Sequence, residues 1–144
     1  MEQPDIRPIS DKLYILAQDY SYEYMVNQTK LRINAFKNYI YDGASVPRIV
    51  WTISGLTPDG LIRAAALIHD LLYDYKGILP KGQLQRFDKT TVESDQWVDI
   101  QYKFSRKEAD KMFARIMREA GIERKYRRRA YLAVRTFGKL YWNS

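Results

Sequence analysis

The fold is decided by the stretch Ala65-Ala66-Leu67-Ile68-His69-Asp70-Leu71-Leu72-Tyr73, whose apolar residues recur with the period of a helix that is buried on most sides. Ahead of it, Thr57-Pro58-Asp59 supplies an N-cap residue, a first-turn proline and an early acid. The apolar pattern runs from Leu61 to Tyr75. We therefore predict a largely buried helix that begins at Thr57 and ends near Tyr75.

The residues before this helix predict strands. Between residues 20 and 26, tyrosines and a valine alternate with polar or smaller residues, and a second alternation covers 31–35. The polar segment Asn27-Gln28-Thr29 separates the two, which favours an antiparallel hairpin. Shorter strands are predicted at 13–16 and 38–41, and the second of these runs into the turn Asp42-Gly43-Ala44-Ser45-Val46-Pro47.

The residues after the helix predict a less regular segment and then two more helices. Gly77, Pro80 and Gly82 open the segment 76–104, for which we expect a small hairpin or an ordered excursion. Ser105-Arg106-Lys107-Glu108 is a capping box, and the helix it starts should stop at Gly121. The last helix is expected from about Glu123 to Trp142. Its predicted inward residues are Tyr126, Ala130, Ala133, Val134, Phe137 and Tyr141.

These elements indicate an α+β fold, with N-terminal antiparallel strands packed against about three C-terminal helices. A chain of 144 residues has the length of one domain, and we assign 1–144 to a single domain. Residues 1–56 are expected to be mainly strands and turns. Residues 57–144 are expected to be mainly helical, with 76–104 as an irregular or hairpin excursion.

Composition excludes several classes of protein. Because the sequence contains no cysteine, it has neither a disulfide framework nor a thiolate metal site. Residues 1–5 lack the basic start and apolar run of a signal peptide, and no stretch approaches the ~20 apolar residues of a membrane span. We therefore expect a soluble protein that is made in a cytoplasm and has no membrane-spanning segment.

The net charge of +7 is unevenly distributed along the chain. Residues 101–144 contain 13 of the 24 Lys and Arg residues but only 4 of the 17 Asp and Glu residues. This basic third indicates an acidic partner, either a nucleic acid or a protein surface, although most charged runs are simply solvated. The candidate binding residues are Arg124, Lys125, Arg127, Arg128 and Arg129, together with Trp97 in the 76–104 segment.

The only histidine, His69, lies beside Asp70 in the most apolar helix. Burying either side chain without a partner costs several kcal/mol, so other residues have to satisfy them. The candidates are Asp42 with Ser45, from the turn before the helix, and Arg106 with Asp110, from the capped helix.

Four blocks of sequence together carry a family resemblance. They are Asp42-Gly43-Ala44-Ser45-Val46-Pro47-Arg48, then residues 66–73, then Ser105 to Phe113, and finally Ala133-Val134-Arg135-Thr136-Phe137-Gly138 with Trp142. In this order the chain resembles the phage-associated domain-of-unknown-function family 1353, from about Tyr39 to Trp142. The hairpin before Tyr39 lies outside the resemblance, and the segment 77–104 is longer than the connection that is usual in this family.

The resemblance implies a phage or prophage origin and an α+β fold in which Asp42, His69, Asp70 and Asp110 converge. It implies no established reaction. One interpretation of this set is a divalent metal, held by His69 and some of the three carboxylates, that activates water. The other interpretation is a buried hydrogen-bond network that ties the turn to the helices. A triad of Ser45, His69 and a carboxylate is a weaker alternative, because no nucleophile-elbow motif surrounds Ser45.

Two classes of function therefore stay open. We favour a non-enzymatic virion or assembly component, or a host-interaction factor, that works through protein contacts in the host cytoplasm and needs no cofactor; it is expected to enter virions or to form homo-oligomers. The first alternative is a small metal-assisted hydrolase with its site at Asp42, His69, Asp70 and Asp110. The second alternative is a nucleic-acid-binding accessory protein that uses the basic last helix.

Overall fold

The computed structural model describes residues 1–10, 13–41, 61–88 and 96–144. Two antiparallel sheets and three helices make up these parts of the chain, so the predicted α+β class is confirmed. The strands are β1 (Ile6–Pro8), β2 (Tyr14–Leu16), β3 (Tyr20–Val26), β4 (Thr29–Ala35), β5 (Ile40–Tyr41), β6 (Leu84–Phe87) and β7 (Trp97–Asp99). The helices are α1 (Arg63–Asp74), α2 (Arg106–Glu119) and α3 (Arg124–Trp142).

The predicted hairpin is confirmed as β3 and β4, which pair from Tyr20 with Ala35 to Val26 with Thr29. Asn27 and Gln28 form its two-residue loop, and both have positive φ angles of 48° and 69°. Such a loop matches the right-handed twist of the strands it joins. The tyrosines of β3 face the core while the residues between them are exposed, as the alternation predicts.

The segment 76–104 contributes a hairpin, as expected, and this hairpin extends the main sheet. β6 pairs with β4 and β7 pairs with β6, which gives a four-stranded sheet in the order β3-β4-β6-β7. The shorter strands form a second sheet in the order β1-β2-β5. The strands are therefore not confined to the N-terminal part of the chain.

Helix α1 lies at the centre of the molecule and contacts α2, α3 and β4. Every residue from Ala64 to Tyr73 is buried, which agrees with the apolar run that predicted the helix. The predicted C-terminal end is confirmed, because Tyr75 is the C-cap of the helix. The apolar pattern is wrong at Leu61, which precedes the helix and is 56% exposed while Ile62 is buried in its place. The N-cap predicted at Thr57 lies outside the described residues.

Helices α2 and α3 form where the sequence predicts them. Ser105 caps α2 through a complete capping box with Glu108, and Gly121 ends the turn after the helix with a φ of 83°. In α3 the expectation for Phe137 is wrong, because its ring is 51% exposed and Gly138 occupies the buried position beside it. None of the described helices is long and apolar enough to cross a membrane.

Candidate functional site

A buried polar cluster lies where the three helices meet, and Asp110 of α2 is at its centre. One carboxylate oxygen, Oδ1, lies 2.7 Å from Nε2 of His69 and accepts a 2.6 Å hydrogen bond from the Tyr73 hydroxyl. The other oxygen, Oδ2, accepts a 2.8 Å hydrogen bond from Nη1 of Arg135 in α3. His69, Tyr73 and Asp110 are completely buried. A single carboxylate therefore joins all three helices.

The helical spacing explains why these side chains meet. His69 and Tyr73 are four residues apart, so they lie on the same face of α1, with ring centroids 4.2 Å apart. Phe113 lies three residues after Asp110 on α2, and its ring centroid is 4.8 Å from that of His69. The imidazole is thus held between two aromatic rings while its Nε2 points at the carboxylate.

Arg106 contributes mainly by binding the backbone of α3. Its guanidinium donates to the carbonyl oxygens of Val134 and Arg135, each at 3.1 Å. The Nη1 atom of Arg106 is 3.5 Å from Oδ2 of Asp110, which is at the limit of a hydrogen bond. Arg106 therefore fixes α2 against α3 and adds positive charge beside Asp110, whereas Arg135 makes the short contact.

The cluster shifts the pKa values of its members in directions that define their charge. Burial alone would raise the pKa of Asp110, but the hydrogen bonds that its carboxylate accepts from His69, Tyr73 and Arg135 outweigh burial and hold that pKa below its usual range. For His69 burial is the largest effect, and it lowers the pKa below 6.5 although Asp110 opposes it. Burial and the Asp110 contact both raise the pKa of Tyr73. Near neutral pH, Asp110 is ionised, His69 is neutral and Tyr73 keeps its proton.

These charge states fix the tautomer of His69. An ionised carboxylate can only accept hydrogen bonds, so Nε2 of the neutral imidazole has to carry the proton. The lone pair of the ring is then on Nδ1. A neutral imidazole with an ionised carboxylate on one nitrogen has the electronic arrangement of a general base.

The metal interpretation can be compared with the donor atoms of the cluster. Among residues 1–10, 13–41, 61–88 and 96–144, no three His, Asp or Glu side chains gather closely enough to hold a metal ion. Both oxygens of Asp110 already accept hydrogen bonds, one from the Tyr73 hydroxyl and one from the guanidinium of Arg135. Asp42 lies outside the described residues, so a metal set that includes it stays a prediction.

A comparison with family models matches residues 14–134 of the chain to the family described as "Protein of unknown function (DUF1353)". The chain belongs to the DUF1353 family. The resemblance found in the sequence is therefore confirmed at the level of the family, although the match begins before the β3–β4 hairpin that the resemblance left out. A search of curated proteins and a search of solved structures found no match.

The DUF1353 match contains most of the polar cluster. His69, Tyr73 and Asp110 lie inside residues 14–134, and so does Arg106, whereas Arg135 is the first residue after the match. The contact between α1 and α2 therefore lies inside the matched residues. The link to α3 through Arg135 lies at its edge.

The other predicted site residues of this DUF1353 chain are Asp70, Asp42, Ser45 and Trp97. Asp70 is buried next to His69, and its charge is, after burial and the hydrogen bond to Asp74, a further cause of the raised pKa of Tyr39. Asp42 and Ser45 lie outside the described residues. The ring of Trp97 packs edge-on against Phe87, and the guanidinium of Arg32 lies 4.2 Å from its centroid.

Two members of the cluster, Tyr73 and Arg135, are missing from the residues singled out in the sequence. The signal for Tyr73 is its position four residues after His69, which places both side chains on one helix face. Arg135 has a weaker signal: it interrupts the apolar pattern of α3 between Val134 and Gly138. Only the packing of α3 against α2 shows that it reaches Asp110.

Gly138 of α3 allows Tyr73 to reach Asp110. A Cβ atom on Gly138 would lie 2.7 Å from the Tyr73 hydroxyl oxygen. We therefore expect Gly138→Ala to reduce the free energy of unfolding by about 1–3 kcal/mol, because the buried ring has to shift. Helix propensity alone would make the same change stabilising by about 1 kcal/mol.

Urea denaturation of both single variants and of the Gly138→Ala/Tyr73→Phe double variant measures this contact. In the Tyr73→Phe background the hydroxyl is gone, so Gly138→Ala should cost less than in the wild type. Equal costs in the two backgrounds would show that the glycine does not make room for the hydroxyl.

Proposed function

We propose that this DUF1353 chain is a hydrolase in which His69 acts as the general base and Asp110 as the residue that positions it. The observation that supports the proposal most strongly is the contact between neutral His69 and ionised Asp110, with Nε2 and Oδ1 2.7 Å apart. A carboxylate in this position orients the imidazole and stabilises the positive charge that forms when the ring accepts a proton.

The chemistry of the pair is water activation. Nδ1 of His69 accepts a proton from a water molecule while the water oxygen forms a bond to the carbonyl carbon or phosphorus of an ester. The imidazolium that results is stabilised by Asp110. The same proton then passes to the leaving-group oxygen as its bond to carbon or phosphorus breaks, and neutral His69 is restored. Tyr73 and Arg135 keep the Asp110 carboxylate in place through the cycle.

Burial affects this proposal in two ways. The low dielectric around Asp110 and His69 strengthens the interaction between the carboxylate and an imidazolium. Complete burial is also what a purely structural cluster would show, so burial alone does not separate the two roles. A catalytic role and a structural role predict different hydrolytic activities for a variant that loses the base but keeps the hydrogen bond to Asp110.

The test is His69→Gln, because a glutamine amide can still donate to Asp110 but cannot accept a proton from water. We expect the variant to fold and to lose about 10²–10⁴-fold in the hydrolysis of chromogenic carboxylic and phosphoric esters. The acid limb of the wild-type pH profile should have its midpoint below 6.5, because burial lowers the pKa of His69.

Ile116→Val is the matched control for a general loss of stability. It removes one methyl group from a buried position on α2 and should cost about 0.5–1.5 kcal/mol without touching the pair. Its activity should stay within about twofold of the wild type. A chain inert toward every ester in the panel, or an activity that survives His69→Gln, would overturn the proposal.

A second candidate is favoured by the complete burial of His69 and Asp110. In this proposal the cluster is a structural link between the helices, and the chain is a phage-encoded virion or assembly component, or a host-interaction factor, that acts through protein contacts. It predicts no hydrolysis and a homo-oligomer or a complex in sedimentation experiments. A monomer with His69-dependent hydrolysis would contradict it.

A further inference from the structure

A basic surface covers the outer side of α2 and the first half of α3. Three concavities adjoin one another there: Ala114 and Arg127 are shared by the first two, and Arg124 and Arg128 by the second and third. We call the set of cations that lines them the basic face. Its members are Lys111, Arg115, Arg118, Arg124, Lys125, Arg127, Arg128 and Arg129.

Much of this charge has no acidic partner among the described residues. Arg115 pairs with Glu119 at 3.3 Å, and Lys125 lies 3.9 Å from Glu123. For Arg124, Arg128 and Arg129 the described part of the chain contains no acidic group within 4.0 Å. The face is therefore available to an external anion.

The position of these cations reduces the stability of the helix that carries them. They occupy the first turns of α3, where positive charge opposes the helix dipole, and the first turn contains no acidic residue. The N-cap residue, Glu123, makes no side-chain capping hydrogen bond. Helix stability thus does not explain the arginines, whereas an anionic partner does.

Exposed apolar side chains continue the same surface. Leu132 is 53% exposed and lines the third concavity beside Arg128 and Arg129. Leu140, eight residues further along α3, is 83% exposed, and Phe137 is exposed between them. Eight residues make about 2.2 turns, so the side chains of residues 132 and 140 point about 80° apart around the helix and can both face one surface. A surface with both cations and exposed leucines suits a partner with both anions and an apolar layer.

We propose that α3 docks on the surface of an anionic phospholipid bilayer. The basic face contacts the headgroup phosphates, and Leu132, Phe137 and Leu140 enter the boundary between headgroups and acyl chains. This is the binding mode of amphipathic helices that lie in the membrane interface without crossing it. A nucleic acid would use the arginines but offers little to exposed leucines. The proposal does not depend on a hydrolytic role of His69.

The test is vesicle flotation of the full chain, with phosphatidylcholine vesicles and with mixed phosphatidylcholine and phosphatidylglycerol vesicles. We expect binding to the anionic vesicles to be at least about tenfold tighter, because each cation near an anionic surface adds to the affinity. The Leu132→Ser/Leu140→Ser variant should lose at least about tenfold of that binding. The Arg128→Glu/Arg129→Glu variant should lose at least as much.

Two control variants test whether weaker binding depends on the position of the changed residues on α3 or only on the loss of apolar side chains and positive charge. Ile9→Ser/Val98→Ser removes two exposed apolar side chains elsewhere, and Lys81→Glu/Lys103→Glu reverses two exposed charges elsewhere. Both should bind anionic vesicles within about twofold of the wild type, since neither alters α3. Circular dichroism checks that every variant is folded.

Three outcomes would overturn the proposal. The first is equal binding to both kinds of vesicle, and the second is anionic binding that the leucine variant retains. The third is tight binding to a duplex oligonucleotide that the Arg128→Glu/Arg129→Glu variant loses and the Leu132→Ser/Leu140→Ser variant retains. That last pattern would assign the basic face to a nucleic acid.

Discussion

Asp110→Ala is expected to lower the free energy of unfolding by about 3–5 kcal/mol, the usual cost of removing one partner from a buried charged cluster. Without the carboxylate, Arg135 loses its 2.8 Å ion pair, and the buried His69 and Tyr73 lose their common acceptor. The measurement is urea denaturation at neutral pH. An unchanged midpoint would show that the cluster does not hold the helices together.

Glu23→Ala is the matched control for removing an acidic residue. Glu23 lies on β3, its side chain is about half exposed, and its carboxylate is 3.4 Å from Lys30. An exposed pair of this kind contributes about 0–1 kcal/mol. Removing the Asp110 carboxylate should therefore reduce the free energy of unfolding by several kcal/mol more than removing that of Glu23, although both carboxylates form ion pairs.

The same cluster should make the stability depend on pH in one direction. The pKa of His69 is lower in the folded protein than the ordinary 6.5, so the unfolded chain binds more protons as the pH falls below that value. The pKa of Asp110 is lowered from 3.8, which adds a second loss at more acidic pH. Stability should thus be retained above about pH 6.5 and fall as the solution is acidified. With His69→Gln, the loss that begins near pH 6.5 should disappear.

The second large effect is expected at Gly77, where the chain leaves α1. Its φ is 84°, and a Cβ atom there would lie 1.9 Å from the backbone oxygen of Phe104. The backbone of Phe104 also donates a 2.9 Å hydrogen bond to the Gly77 oxygen, so the two segments cannot separate without breaking it. Gly77→Ala should cost about 3 kcal/mol or more, from backbone strain and overlap together.

Gly82→Ala separates those two contributions. Gly82 has a nearly equal φ of 88°, but no atom lies within 4 Å of an added Cβ. This control should cost only the strain of a left-handed alanine, about 1–2 kcal/mol. Equal losses of thermal stability at the two glycines would contradict the close approach of Phe104.

The sequence predicts those parts of the fold whose signal is local. The alternation in β3 and the capping box at Ser105 each specify an element without reference to the rest of the chain, and both are found. The pairing of β6 with β4 joins residues such as Ile33 and Leu84, which no local pattern links. The exposure of Phe137 is also set by packing, because Gly138 takes the place beside Tyr73.

The same distinction applies to the candidate site. The sequence singles out His69 and Asp110 because an apolar helix with two polar residues needs partners elsewhere. It does not show which partner belongs to which residue. Asp110 meets His69, Tyr73 and Arg135 only because α1 and α3 both pack against α2.

The central claim is that His69 is a neutral base whose Nε2 proton is held by ionised Asp110. Long-range nitrogen-15 NMR of the imidazole tests it directly, because the chain has only one histidine. The account predicts a single neutral imidazole with the proton on Nε2 near pH 7, and protonation with a midpoint below 6.5. A proton on Nδ1, or a midpoint at or above 6.5, would contradict it.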